Sequence, residues 1–114
     1  MNSFADFALL PTLQETLVER SLTMPTEIQA RAVPALLAGR SVVGVAETGS
    51  GKTLAYALPI LHRLKTLELQ GKPVTVYGEP RAIVVVPTRE LGEQVAKAFK
   101  PFTHTTRLLS LIHI

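Results

Sequence analysis

Residues 41–53 read SVVGVAETGSGKT, and the fold turns on this stretch. The run from Ser41 to Ala46 is short, apolar and rich in β-branched residues, as suits a buried strand. The glycine-rich segment follows at once, and helical spacing then predicts a helix from Thr53 to about Lys65. The order is strand, glycine loop, helix. Gly49 and Gly51 let the backbone take conformations and close approaches that a Cβ blocks, so successive N–H groups can converge on an anion. The start of a helix adds the positive end of its dipole. Lys52 places an ammonium for phosphate oxygens and the Thr53 hydroxyl suits Mg²⁺. Ala46 stands where the strict phosphate-loop pattern has its first glycine.

Working outward towards the N-terminus, Leu10, Leu13 and Leu17 recur at helical spacing around Pro11 and predict a short amphipathic helix. The chain restarts at Pro25, where Thr26 and Gln29 fit a capping box opening a second helix. Gly39 supplies its stop, and Pro34 is expected to kink or split it. Towards the C-terminus, residues 66–80 read as a connection with a short extended piece at 74–77. Residues 81–86, RAIVVV, form the clearest strand by composition. Pro87 ends it, and Thr88 caps a helix expected to run through about Lys100, ahead of Pro101. A third strand is expected to begin near Arg107. Strands alternating with helices imply an α/β fold, a parallel sheet with helices on both faces. Residues 1–39 form an N-terminal helical region and 40–114 the strand–loop–helix part.

Composition narrows the classes. At 114 residues the chain has room for one small domain. Its 46% hydrophobic and 18% charged residues exclude a disordered chain. The net charge of +3 permits a nucleic-acid partner without establishing one. The absence of cysteine removes disulfides, thiolate zinc sites and cysteine nucleophiles, and fits a reducing, cytoplasmic setting. The start, MNSFADFALL, lacks a cationic flank and does not read as a signal peptide. The longest apolar stretch, Leu54 to Leu61, falls far short of the roughly 20 residues a bilayer requires, so no membrane partner is expected. His62, His104 and His113 show no metal-ligand spacing.

Beside AETGSGKT stand PTEIQ at Pro25 to Gln29 and PTREL at Pro87 to Leu91. Together the three segments resemble the DEAD-box RNA helicases of helicase superfamily 2. The match extends to Phe4, 25 residues before Gln29, and to Gln94, which completes PTRELxxQ. The resemblance implies a P-loop, RecA-like domain that binds ATP with Mg²⁺ and grips RNA along its backbone. It assigns nucleotide contacts to Ala46, Glu47, Thr48, Gly49, Ser50, Gly51, Lys52 and Thr53, although the Glu47 side chain has no role of its own. Lys52 and Thr53 take the catalytic positions, with Thr53 on the metal. Gln29, with Thr26, is implied as the adenine reader, its amide matching the N6 and N7 edge. Closing the capping box is the other use of the same amide. Phe4 is implied to stack on the base, and a core position beside Phe7 serves it equally. Pro87, Thr88 and Arg89 are implied RNA contacts, against a plain helix cap with an Arg89–Glu93 pair. Ser21 and Leu22 depart from the family pattern, which commonly has Gly and an aromatic there.

The sequence holds a single aspartate, Asp6. The D-E-A-D tetrapeptide, the S-A-T motif and the second RecA-like domain are therefore outside it, and the RecA-like domain is expected to be incomplete. The expectation is the truncated N-terminal part of an ATP-dependent RNA helicase, which alone lacks the groups that position water and neutralise charge in phosphoryl transfer. The alternative is a noncatalytic module that binds nucleotide or RNA. A DNA helicase is disfavoured by PTEIQ with PTREL.

Overall fold

A computed structural model describes residues 3–71 and 81–106, with side chains through Thr103. A 3-10 turn at Phe4–Asp6 leads to α1 (Pro11–Glu19), α2 (Glu27–Leu37), α3 (Lys52–Leu69) and α4 (Arg89–Thr106). Helix α3 packs against α2 and α4, and α1 packs against α4 and the 3-10 turn. Between them lies one apolar core, in which Leu13 and Leu17 of α1, Val33 of α2, Leu58 of α3 and Phe102 of α4 are fully buried. Tyr56 and Phe99 meet at 6.2 Å across the α3–α4 contact.

The helix ends follow local rules. Gly39 (φ 81°) closes α2 with paired bonds, its N–H to Leu36 O and the Arg40 N–H to Ala35 O. The same arrangement closes α1, with Ser21 at φ 58° in the place where glycine is normal. Its N–H bonds Val18 O, the Leu22 N–H bonds Leu17 O, and Leu22 packs against the core.

Two helices differ from expectation at their prolines. Helix α2 continues through Pro34 unsplit, and α4 runs past Lys100 and through Pro101 to Thr106. Helix α3 likewise carries Pro59. Each proline adjoins a fully buried side chain, Val33, Leu58 or Phe102. An interior proline costs about 3 kcal/mol, whereas burying an apolar side chain yields roughly 1.5–3 kcal/mol. With several such side chains per helix, packing outweighs the break.

The expected parallel sheet is not seen in the described part of the chain. Among the described residues there are helices and no strand. Residues 41–46 and 81–86 lie outside the helices, and neither segment has a neighbour there to complete a hydrogen-bonded ladder. They alternate as strands do. Val42 and Val84 are 40% and 39% exposed, against 94% for Val43 and 85% for Val85. One side of each segment faces the helices: Gly44 lies under Ile28, and Val86 beside Gly92. The other side is open, so the burial on both faces expected of parallel strands is not met. The expected extended piece at 74–77 and the strand near Arg107 lie outside the described residues.

Candidate nucleotide-binding site

The loop between residue 46 and α3 is shaped by two left-handed glycines. Ser50 donates its N–H to Glu47 O at 3.1 Å, making a tight turn in which Gly49 sits at φ 82°. Gly51, at φ 86°, is the residue before α3. The two glycines serve different ends. A Cβ on Gly49 would meet nothing, so only its backbone angle matters. A Cβ on Gly51 would run into Gln29 Nε2 and lie 3.0 Å from Thr26 Oγ1.

Gln29 is 3% exposed and joins the two motifs. Its Oε1 accepts the Thr26 N–H at 2.9 Å, completing the capping box of α2. Its Nε2 donates to Gly51 O at 3.1 Å. Because Thr26 N–H can only donate and Gly51 O can only accept, these partners fix which way the amide points. One N–H and one lone pair of that amide are left over. Capping and reading an adenine edge therefore need not compete for the same capacity, which the sequence left open.

Lys52 is exposed and has no ion pair among the described residues. Lys52 and Thr53 form the first turn of α3, whose leading N–H groups have no intrahelical acceptor. Ser50 Oγ is buried within the loop with no hydrogen-bond partner. An orphaned hydroxyl, a cationic side chain and free N–H groups around one turn are the donor set a polyphosphate needs, so these residues fit a nucleotide. Among the described residues, no group of three His, Asp or Glu side chains forms a metal site.

Phe4 is 2% exposed and meets Phe7 edge-on at 5.7 Å. Its ring thus occupies the core position that the sequence also allowed. Its N–H bonds Thr23 O at 2.9 Å, which ties it to the loop leading into Thr26 and Gln29. Pro87, Thr88 and Arg89 are all exposed. Thr88 Oγ1 accepts the Leu91 N–H at 3.2 Å and caps α4. The Arg89–Glu93 pair does not form among the described residues, where Arg31–Glu27 and Lys65–Glu68 do. No hydrogen bond there joins residues 87–89 to residues 46–53.

Gln14 escaped the sequence reading because no motif contains it, and His62, read there as showing no metal-ligand spacing, is a hydrogen-bonded, partly buried histidine. Gln14 donates to Phe4 O and Phe7 O, and His62 Nδ1 accepts the Leu10 N–H at 3.2 Å. Burial pushes the His62 pKa below its ordinary value. No helix among the described residues is long and apolar enough to cross a membrane.

The DEAD/DEAH box helicase family matches residues 26–113, and the chain belongs to that family. It is 39% identical over 112 residues to the ATP-dependent RNA helicase DBP10 of Candida albicans, covering 98% of this chain and 12% of that protein. It is 44% identical over 110 residues to the probable ATP-dependent RNA helicase DDX28 of Homo sapiens, covering 94% of this chain and 20% of the relative. The chain thus spans a fifth or less of the length of these relatives. A crystal structure of a DEAD box protein from the hyperthermophile Methanococcus jannaschii superposes with a TM-score of 0.74 at 27% identity, over 90% of this chain and 26% of that one. The likeness to that solved domain supports the RecA-like fold, although the described residues show only its helices.

Proposed function

We propose that this chain is the ATP-binding front of an ATP-dependent RNA helicase. The observation that carries the reading is the Gln29 amide, which accepts from Thr26 and donates to Gly51 and so links the Thr26–Gln29 cap to the phosphate loop by one hydrogen bond. Gln29 would pair with the adenine edge through its remaining donor and acceptor. Lys52 would neutralise the β and γ phosphates, and Ser50 with the N–H groups of α3 would hold their oxygens. Mg²⁺ at Thr53 would supply further charge neutralisation there. Phe4 would stack on the base only by turning a face out of its contact with Phe7. Pro87, Thr88 and Arg89, exposed at the start of α4, would hold an RNA phosphate, a contact that follows the backbone without reading bases.

These 114 residues by themselves are proposed to bind without turnover. Their one aspartate, Asp6, accepts the Ser3 N–H in the N-terminal turn, far in sequence from the loop. This favours the noncatalytic module as the reading of the isolated chain.

The test is the ratio of ATP to GTP affinity. Gln29→Ala should weaken ATP about tenfold or more, a bidentate amide–base pair being worth about 1–3 kcal/mol. GTP should change much less, while Lys52→Ala should weaken both. An unchanged ratio in Gln29→Ala would reduce Gln29 to a helix cap and remove the adenine assignment.

A further inference from the structure

Gln14 lies on α1, outside every motif, and gives both N–H groups of its amide to main-chain carbonyls of the preceding segment. Nε2 is 2.9 Å from Phe4 O and 3.0 Å from Phe7 O. Both carbonyls already have main-chain donors: Phe4 O accepts the Phe7 N–H at 3.1 Å, and Phe7 O the Leu9 N–H at 2.8 Å. Removing Gln14 orphans neither of them. What its two bonds add is position, fixing the Phe4–Asp6 turn on α1. The same turn is fixed at its other side by the Phe4 N–H to Thr23 O bond, and Thr23 lies in the loop entering Thr26, whose N–H is held by Gln29. Contacts therefore run from Gln14 through the Phe4 peptide to Thr23 and on to the Thr26–Gln29 cap.

We propose that Gln14 is a positioning residue for the base-reading end of the nucleotide site, acting through Phe4 and Thr23 on the placement of Gln29. The proposal rests on the reading of Gln29 as the adenine contact. The phosphate loop takes no part in this path beyond its own bond to Gln29, so Gln14 bears on the base and leaves the phosphates alone. That separates it from a general fold clamp.

The experiment measures affinity for ATP and for inorganic tripolyphosphate on the full chain, with melting temperatures, in Gln14→Met, Gln14→Glu and Gln29→Ala. Met keeps the bulk and loses the donors; Glu turns an acceptor towards two carbonyls. Both are expected to weaken ATP roughly fivefold, part of the decade expected of the base contact itself, with tripolyphosphate binding unchanged. Should Gln14→Glu fail to fold, Gln14→Met carries the test, since both carbonyls keep their main-chain donors. A shift of the ATP to tripolyphosphate ratio in Gln29→Ala but in neither Gln14 variant overturns the role of Gln14 alone. Parallel loss of both ligands in the Gln14 variants also overturns it, as general loosening. A ratio unmoved by Gln29→Ala removes the adenine reading, and this proposal with it.

Discussion

Residues 3–71 and residues 81–106 are held in different ways. In the first region, side chains reach far along the chain to main-chain groups: His62 to Leu10, Gln29 to Gly51, Gln14 to Phe4. In the second, Thr88 Oγ1 accepts the Leu91 N–H, Thr103 Oγ1 donates to Lys100 O, and Phe99 and Phe102 bury α4 in the core. Apolar burial is large and non-directional, whereas a hydrogen bond adds about 1 kcal/mol net with a defined geometry. The long-range hydrogen bonds of the first region thus fix geometry, and the burial of Phe99 and Phe102 in the second supplies adhesion.

The contrast breaks first at Phe102. Phe102→Ala should cost about 3–5 kcal/mol, the usual loss for a fully buried aromatic ring, and a thermal melt should show it; a loss under 1 kcal/mol would mean that α4 is held by something other than burial. Next comes Gly51→Ala, which forces a left-handed alanine against Gln29 and should cost about 2 kcal/mol. It should also abolish the proposed ATP preference, because Gln29 is the side chain displaced. Gly49→Ala, with open space around it, is the control: nucleotide titration should show it keeping that preference. Ser21→Gly works the other way. Relieving the left-handed serine after α1 should stabilise the chain by about 0.5–1 kcal/mol, read as a raised denaturant midpoint without change in nucleotide affinity.

The smallest effect is the pH dependence of His62. Burial lowers its pKa in the folded chain, and Nδ1 must stay unprotonated to accept the Leu10 N–H. The unfolded chain then takes up the proton first as pH falls below about 6.5. Stability from this group is complete above that value, declines as pH drops through the lowered folded pKa, and levels off below it. Melting temperatures at pH 7.5 and 5.5 should differ less in His62→Gln than in the parent chain; an equal difference would show that His62 does not titrate in this contact.

The parts legible in the sequence were those set by neighbours along the chain. The Thr26–Gln29 capping box, the Gly39 stop and the helix after Gly51 rest on residues three to five apart, and all are present. The sheet was less legible, because β-branched composition in 41–46 and 81–86 specifies an extended backbone but not the partners that make it a strand. Pro101 misled for the opposite reason, as a local breaker is overridden by the burial of Phe102 beside it. At the site, spacing gave Gln29 only its capping box and the family resemblance its proposed role at the base, while its bond to Gly51, 22 residues away, left no local pattern. Gln14 and His62 act on main-chain atoms of distant residues, which carry no side-chain signature at all.

Ile28 and Gly44 share a single space. A Cβ at position 44 would come within 3.0 Å of Ile28 Cδ1, the tip of a side chain one residue ahead of Gln29. Volume added at position 44 therefore requires that tip to move, so the two positions should drift together through evolution: alanine at 44 paired with valine at 28, which lacks that terminal methyl. Such a compensated pair would let the segment leading into the glycine loop change its sequence while the helix that carries Gln29 keeps its seat.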